Sequence, residues 1–247
     1  MSLSFLKLAR TYASSKAKKP ILLVDTHAHV LPDLDNGPDT LEDSIALLRE
    51  MAKKGVQKVV ATPHVMGAFY RNSPESICQA HKLVVTELTR QGININLSVA
   101  AEYYLDVSFM ASLENKAQLL PFDKRYLIFE TSVVGLPPFL WDAVAQIKNL
   151  GLTPVLTHPE RYYYLQQNFQ DVLDLQEAGV LFQISLLSLN SPHPPTRLLV
   201  EQLIAENMVT FVGSNAHNQQ EWASIDDLMN NKWYKMLMDS KKMLSDF

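Results

Sequence analysis

Seven short apolar runs alternate with stretches of helical periodicity along this chain, and that alternation limits the fold more than any other feature. The runs fall at residues 21–24, 59–61, 95–101, 126–129, 154–157, 181–186 and 209–213. Uniformly apolar runs of this length suit strands covered on both faces. A helix opens at Thr40, with Asp43 three residues later much as in a capping box. It gathers Leu41, Ile45, Leu48 and Ala52 on one face before Gly55 closes it. Further helices are expected over 74–90, 139–150, 169–178 and 196–206, the third and fourth ending before Gly151 and Gly179. Such alternation predicts an α/β fold of parallel strands with helices outside. It leaves a barrel and an open doubly wound sheet both standing.

The chain has 247 residues, within what one α/β barrel fills, and shows no internal repeat or linker. One domain over 21–247 is therefore expected, behind a basic extension over 1–20 that carries Lys7, Arg10, Lys16, Lys18 and Lys19 and no acid. That extension is either a tail or helix covering the bottom of the fold, or a patch for peripheral contact with an anionic membrane or acidic partner. The net charge of −4 argues against nucleic acid as a partner. Cys78 is the one cysteine, which points to a reducing cytoplasm, and no apolar run is long enough for a membrane span.

Five of the seven histidines lie just past an expected strand: His27, His29, His64, His158 and His217. The C-terminal ends of strands are where barrels carry their chemistry. In Asp25-Thr26-His27-Ala28-His29, alternate side chains point the same way, so both imidazoles face one point. Neutral imidazole is the commonest nitrogen ligand of divalent transition metals. Glu102 and Glu130 follow strands and are costly to bury unpaired, so each is either a salt-bridge partner or a carboxylate bridging cations. Arg161, in Thr157-His158-Pro159-Glu160-Arg161, suits a two-pronged grip on phosphate, or else forms a surface ion pair with Glu160 or another acid. Phe69, Tyr70, Tyr103, Tyr104 and Tyr162 to Tyr164 either offer a platform for an aromatic ring or pack at the rim.

The motifs Asp-Thr-His-Ala-His-Val-Leu-Pro, Ala-Thr-Pro-His, Thr-His-Pro-Glu-Arg and Ser-Asn-Ala-His-Asn, in that order from Val24 to Asn218, resemble the polymerase and histidinol phosphatase (PHP) superfamily. Within it, the chain is most similar to the bacterial capsule-locus tyrosine-protein phosphatases. The resemblance implies a distorted seven-stranded, TIM-like (β/α) barrel with up to three metal ions, usually manganese, with iron or zinc as alternatives. It implies metal ligation by His27, His29, His64, Glu102, Glu130, His158 and His217, phosphate binding by Arg161, and catalysis carried by Arg161, Glu102 and His64. The implied substrate is the phosphotyrosine-bearing tail of a tyrosine kinase that controls polysaccharide synthesis, hydrolysed without a covalent intermediate. Other superfamily substrates are histidinol phosphate, another small phosphomonoester, or nucleic-acid ends.

Three positions depart from the family pattern. Asn36 and Asn215 stand where metal-ligating aspartates are expected, and Trp222 stands where a basic residue is expected. Asparagine offers a carbonyl oxygen but no charge. The departures leave two outcomes: a working phosphatase on the remaining ligands, or a weakened metal site in a barrel that binds a partner without turning it over.

Overall fold

The computed structural model describes residues 22–240. The basic extension expected over 1–20 lies outside the described residues. Among the described residues nine strands form: β1 (Val24–Ala28), β2 (Lys58–Ala61), β3 (His64–Val65), β4 (Asn96–Val99), β5 (Glu102–Tyr104), β6 (Tyr126–Glu130), β7 (Thr153–Thr157), β8 (Leu181–Ser185) and β9 (Val209–Gly213). They assemble as an α/β fold with two sheets, β1-β2-β4 and β3-β5-β6-β7-β8-β9, and every strand pair within them is parallel.

The count of nine has a local cause. Thr62 and Pro63 part β2 from β3, and Ala100 and Ala101 part β4 from β5. Pro63 has no N–H to give a ladder. The register nevertheless continues across the breaks, pairing Ala61 with Val99 and His64 with Glu102 at one offset. Ala100 N–H donates to Ala61 O at 2.9 Å, and Glu102 N–H donates to Pro63 O at 3.0 Å. The backbone pairing thus runs on across each break with a kink.

The first strand is displaced from its expected place at 21–24. It begins at Val24 and takes in the polar residues Asp25, Thr26 and His27, all buried. At the other edge, β9 comes against β1: Asn215 N–H donates to His27 O at 2.8 Å and His29 N–H to Ala216 O at 3.0 Å. A Cβ on Gly213 would stand 2.3 Å from the Cβ of His27, so only glycine permits this approach.

Burial falls into two clusters. Val60, Ala100, Phe122, Ile128, Val155 and Phe211 pack together, while their strand neighbours Val59, Ala61, Leu127, Phe129, Leu156 and Val212 pack into a larger cluster with the helices. Alternate residues on one strand face opposite sides. Val60, Ile128, Val155 and Phe211 thus bring β2, β6, β7 and β9 to one cluster.

The helices Leu41–Lys53, Pro74–Arg90, Leu140–Asn149, Phe169–Glu177 and Pro194–Ala205 stand within two residues of their expected bounds. Thr40 caps the first by accepting from Asp43 N–H, as its spacing predicts. Helices Val107–Glu114, Tyr163–Gln167, Gln219–Ser224 and Lys232–Asp239 were not expected; all four are eight residues or fewer, too short for a long apolar period. Among the described residues, no helix is long and apolar enough to cross a membrane.

Candidate metal centre

The buried carboxylate of Glu102, at the start of β5, is the hub of the site. Its Oε2 lies 3.3 Å from His27 Nε2, 3.4 Å from His29 Nε2 and 3.2 Å from His64 Nδ1. Its Oε1 accepts from Thr157 Oγ1 at 2.6 Å and lies 3.0 Å from His158 Nε2. Glu130, at the end of β6, places Oε1 3.0 Å from His64 Nδ1 and Oε2 3.7 Å from His158 Nε2. The expected ligands His27, His29, His64, Glu102, Glu130 and His158 therefore converge, although they come from five different strands or strand ends.

Three of the imidazoles, His27, His29 and His217, are aimed by neighbours that sequence reasoning did not single out. Gln183 donates through Nε2 to Thr26 O at 3.0 Å and Thr26 Oγ1 at 2.8 Å, which fixes its Oε1 as the acceptor 2.8 Å from His27 Nδ1. His27 then carries its proton on Nδ1 and turns the Nε2 lone pair to the cluster. Asp35 Oδ2 accepts from His29 Nδ1 at 2.7 Å and from His64 N–H at 3.0 Å, while Oδ1 accepts from Gly37 N–H. Glu221 Oε2 accepts from the backbone N–H of His217 at 2.9 Å and lies 3.1 Å from its Nδ1. The spacing of Glu221 four residues after His217, at the start of a short helix, was the one signal available for any of these.

Electrostatics follow from burial and pairing. Burial alone would lower His29, but Asp35 and Glu102 raise it to about 9. Burial opposes ionisation of Asp35, yet His29 and two backbone N–H groups hold it at about 2. Burial likewise opposes the raised values of His27 and His64, which the charge of Glu102 outweighs, and Glu102 itself sits well below the carboxylate range. Burial lowers His217. Asp25, whose Oδ1 accepts from Ser214 N–H and His27 N–H, is pushed by burial up to about 6.

The donor set fits a divalent metal. Glu102 Oε2 and His64 Nδ1 are buried, lie within ion-pair reach of one another, and make no hydrogen bond. His27 Nε2 and His29 Nε2 lie 3.2 Å apart. Two nitrogens bound at about 2.1 Å to one ion stand roughly 3.0–3.4 Å apart. Among the described residues, three groups of side chains could hold an ion: His29/His64/His217, His27/His29/Glu102 and His64/Glu102/Glu130.

The other expected residues divide. Arg161 is exposed and makes no ion pair among the described residues; Glu160, its alternative partner, turns inward and accepts from Ser185 N–H at 2.9 Å. Asn36 is exposed. Asn215 is buried with φ +55, a left-handed conformation that asparagine tolerates. His158 adopts the same region at φ +33, strain of a kind that collects at functional sites. Trp222 is buried, with Lys54 over its ring. Among the aromatics, Tyr103, Tyr162 and Tyr164 belong to the core, Phe69 and Tyr163 are exposed, and Tyr70 stacks on His64 with centroids 5.5 Å apart.

Fold and site together define a class: an α/β protein of parallel sheets with a cluster of histidines and carboxylates that could hold a metal ion. Residues 23–231 match the family described as capsular polysaccharide synthesis, CpsB/CapC, and the chain belongs to it. It is 28% identical over 203 residues to the tyrosine-protein phosphatase CpsB of Streptococcus pneumoniae, covering 79% of this chain and 83% of that one. It is 26% identical over 197 residues to the tyrosine-protein phosphatase YwqE of Bacillus subtilis, covering 79% and 78%. In structure it is similar to the solved YwqE and CpsB proteins, described as metal-dependent tyrosine phosphatases, with a TM-score of 0.74, 25% identity, and 90% and 93% of the two chains covered.

Proposed function

We propose that this chain is a metal-dependent phosphoric monoester hydrolase, a protein-tyrosine phosphatase acting on the phosphotyrosine-bearing tail of a tyrosine kinase in capsular or exopolysaccharide synthesis. One observation carries the reading: a fully buried Glu102 ringed by four imidazoles, in a chain whose family and relatives are capsule-synthesis phosphatases. His27, His29, His64, Glu102, Glu130 and His158 would hold the metal. A bound divalent metal supplies a lowered pKa for water and neutralises charge as the phosphoryl group transfers. The mixed imidazole and carboxylate donors suit manganese, with iron or zinc as alternatives.

The chain's own residues do the rest. Gln183 and Asp35 hold the His27 and His29 rings, so the lone pairs are aimed before substrate arrives. Arg161, free of any ion pair among the described residues, grips two phosphate oxygens through parallel N–H bonds. Glu102 and His64 set the charge at the reacting centre. Tyr70 covers one side of the mouth through its stack on His64.

The continuous register through β2/β3 and β4/β5, the bonds between β1 and β9, and the enclosed second cluster support reading both sheets as one distorted seven-stranded (β/α) barrel. We assign it to residues 21–247, behind the basic extension 1–20, whose lysines suit peripheral contact with an anionic membrane or acidic partner. The single cysteine, free and exposed, supports a cytoplasmic protein.

A second reading has its own support. Asn36 and Asn215 bring no charge to the site, which favours a barrel that binds a phosphorylated partner without hydrolysing it. Phosphate release from a phosphotyrosyl peptide, with manganese and with chelator, separates the two when the natural chain is compared with Asn36→Asp/Asn215→Asp. We expect the natural chain to turn over and chelator to stop it. Turnover by the double variant alone would make binding the better account.

A further inference from the structure

The three candidate ion-holding groups overlap, and counting their lone pairs limits how many can be filled at once. His29 belongs to two of them, His64 to two and Glu102 to two. A neutral imidazole has one lone pair, and His29 has already committed Nδ1–H to Asp35. It can therefore ligate one ion. A carboxylate offers about four lone-pair sites on two oxygens and can serve two ions. The group His29/His64/His217 takes a histidine from each of the others, so it excludes both. The groups His27/His29/Glu102 and His64/Glu102/Glu130 share nothing but the carboxylate.

Ring geometry points the same way. His217 lies face to face with His29, centroids 4.1 Å apart and planes within 8°. Lone pairs lie in the ring plane, so those of two stacked rings run side by side and do not converge on one ion. His158, by contrast, approaches both Glu102 and Glu130 and adds a donor to the second group. Neither asparagine supplies a charge to build a third site around His217.

We infer that this chain holds two divalent ions bridged by Glu102, one on His27 and His29 and the other on His64, Glu130 and His158, and that His217 ligates neither. The inference rests on the metal-dependent reading above. It sets the chain apart from the three ions that its resemblance implies. His217 is anchored by Glu221 and stacks on His29, whose ring is already held through Nδ1 by Asp35.

The test is the manganese content of the full chain, loaded with manganese(II), freed of excess by gel filtration and measured by elemental analysis and electron paramagnetic resonance. Two ions per chain with a spin-coupled spectrum are expected. His217→Ala is expected to keep both ions and the coupling; Glu221→Gln, which frees the ring without removing it, stands in should the alanine variant fail to fold by circular dichroism. Glu102→Gln is expected to lose the coupling and at least one ion. Three ions or one in the natural chain, an uncoupled spectrum, or loss of an ion in the His217 or Glu221 variant overturns the inference and leaves the metal-dependent reading standing. A natural chain that retains no manganese overturns that reading itself.

Discussion

Replacing Gln183 with methionine tests whether the site is aimed by its surroundings or by its ligands alone. Gln183 is buried on β8 and joins His27 Nδ1 to Thr26 through bonds of 2.8, 2.8 and 3.0 Å. Methionine keeps the length of the side chain and loses both polar ends. His27 Nδ1–H and Thr26 O are then left buried without a partner. Each such group costs about 1–3 kcal/mol, partly offset because the amide no longer has to be desolvated, so about 2–4 kcal/mol is expected in total. In a chain of this size that lowers the Tm by about 5–15 °C. Loss of a ligand-orienting bond weakens metal binding about 10–100-fold, or roughly 1.4–2.7 kcal/mol. Thermal denaturation in chelator reads the first quantity, and manganese competition against a fluorescent chelator reads the second. Gln183→Glu keeps the acceptor for His27 and is expected to retain more of the affinity than Gln183→Met. A methionine variant with the Tm of the natural protein and affinity within about twofold of it would refute the reasoning.

Three further outcomes are expected. Arg161→Ala should leave the melting temperature unchanged, because the side chain is exposed and unpaired, while raising KM for phosphotyrosyl peptide about tenfold or more, a loss of about 1.4 kcal/mol or more of charge-assisted bonding. Unchanged KM would remove it from phosphate binding. Gly213→Ala drives a Cβ into His27, and should cost about 1–3 kcal/mol or more of stability and weaken metal binding together; denaturation with no shift would place β9 farther from β1. In the chelated protein, His29 raised to about 9 contributes stability that is complete below its unfolded value and lost as pH rises through about 9. Asp35, depressed to about 2, contributes stability present above the usual carboxylate range and lost as pH falls through about 2. Asp25, raised to about 6, favours the folded state less once it ionises. Chelated protein should thus melt highest near about pH 4, where Asp35 is ionised and Asp25 is not, and fall on the alkaline side as Asp25 and then His29 lose their protons. Asp35→Asn should flatten that alkaline limb, and a profile identical to the natural chain's would contradict the His29–Asp35 pairing.

The sequence by itself determined the alternation of strand and helix, because burial on both faces leaves an unbroken apolar run and burial on one face leaves a period of 3.6. It also marked out residues that come together: imidazoles and acids at strand ends have few other reasons to be there, and His27, His29, His64, Glu130 and His158 meet around Glu102. It misplaced β1 and left out β3 and β5, since the residues His27, His64 and Glu102 are polar where a core strand is expected to be apolar. Only the tertiary structure decided what aims those ligands. Gln183 lies 156 residues from His27 along the chain, and nothing local to either residue records their pairing. It decided as well that Glu160 faces inward and leaves Arg161 without its nearest acid, and that Asn36 turns to solvent. Above all it decided which ligands can act together. A lone pair can be spent once, and whether His29 spends its own beside His27 or beside His217 depends on ring planes that are set when β1 and β9 come into contact.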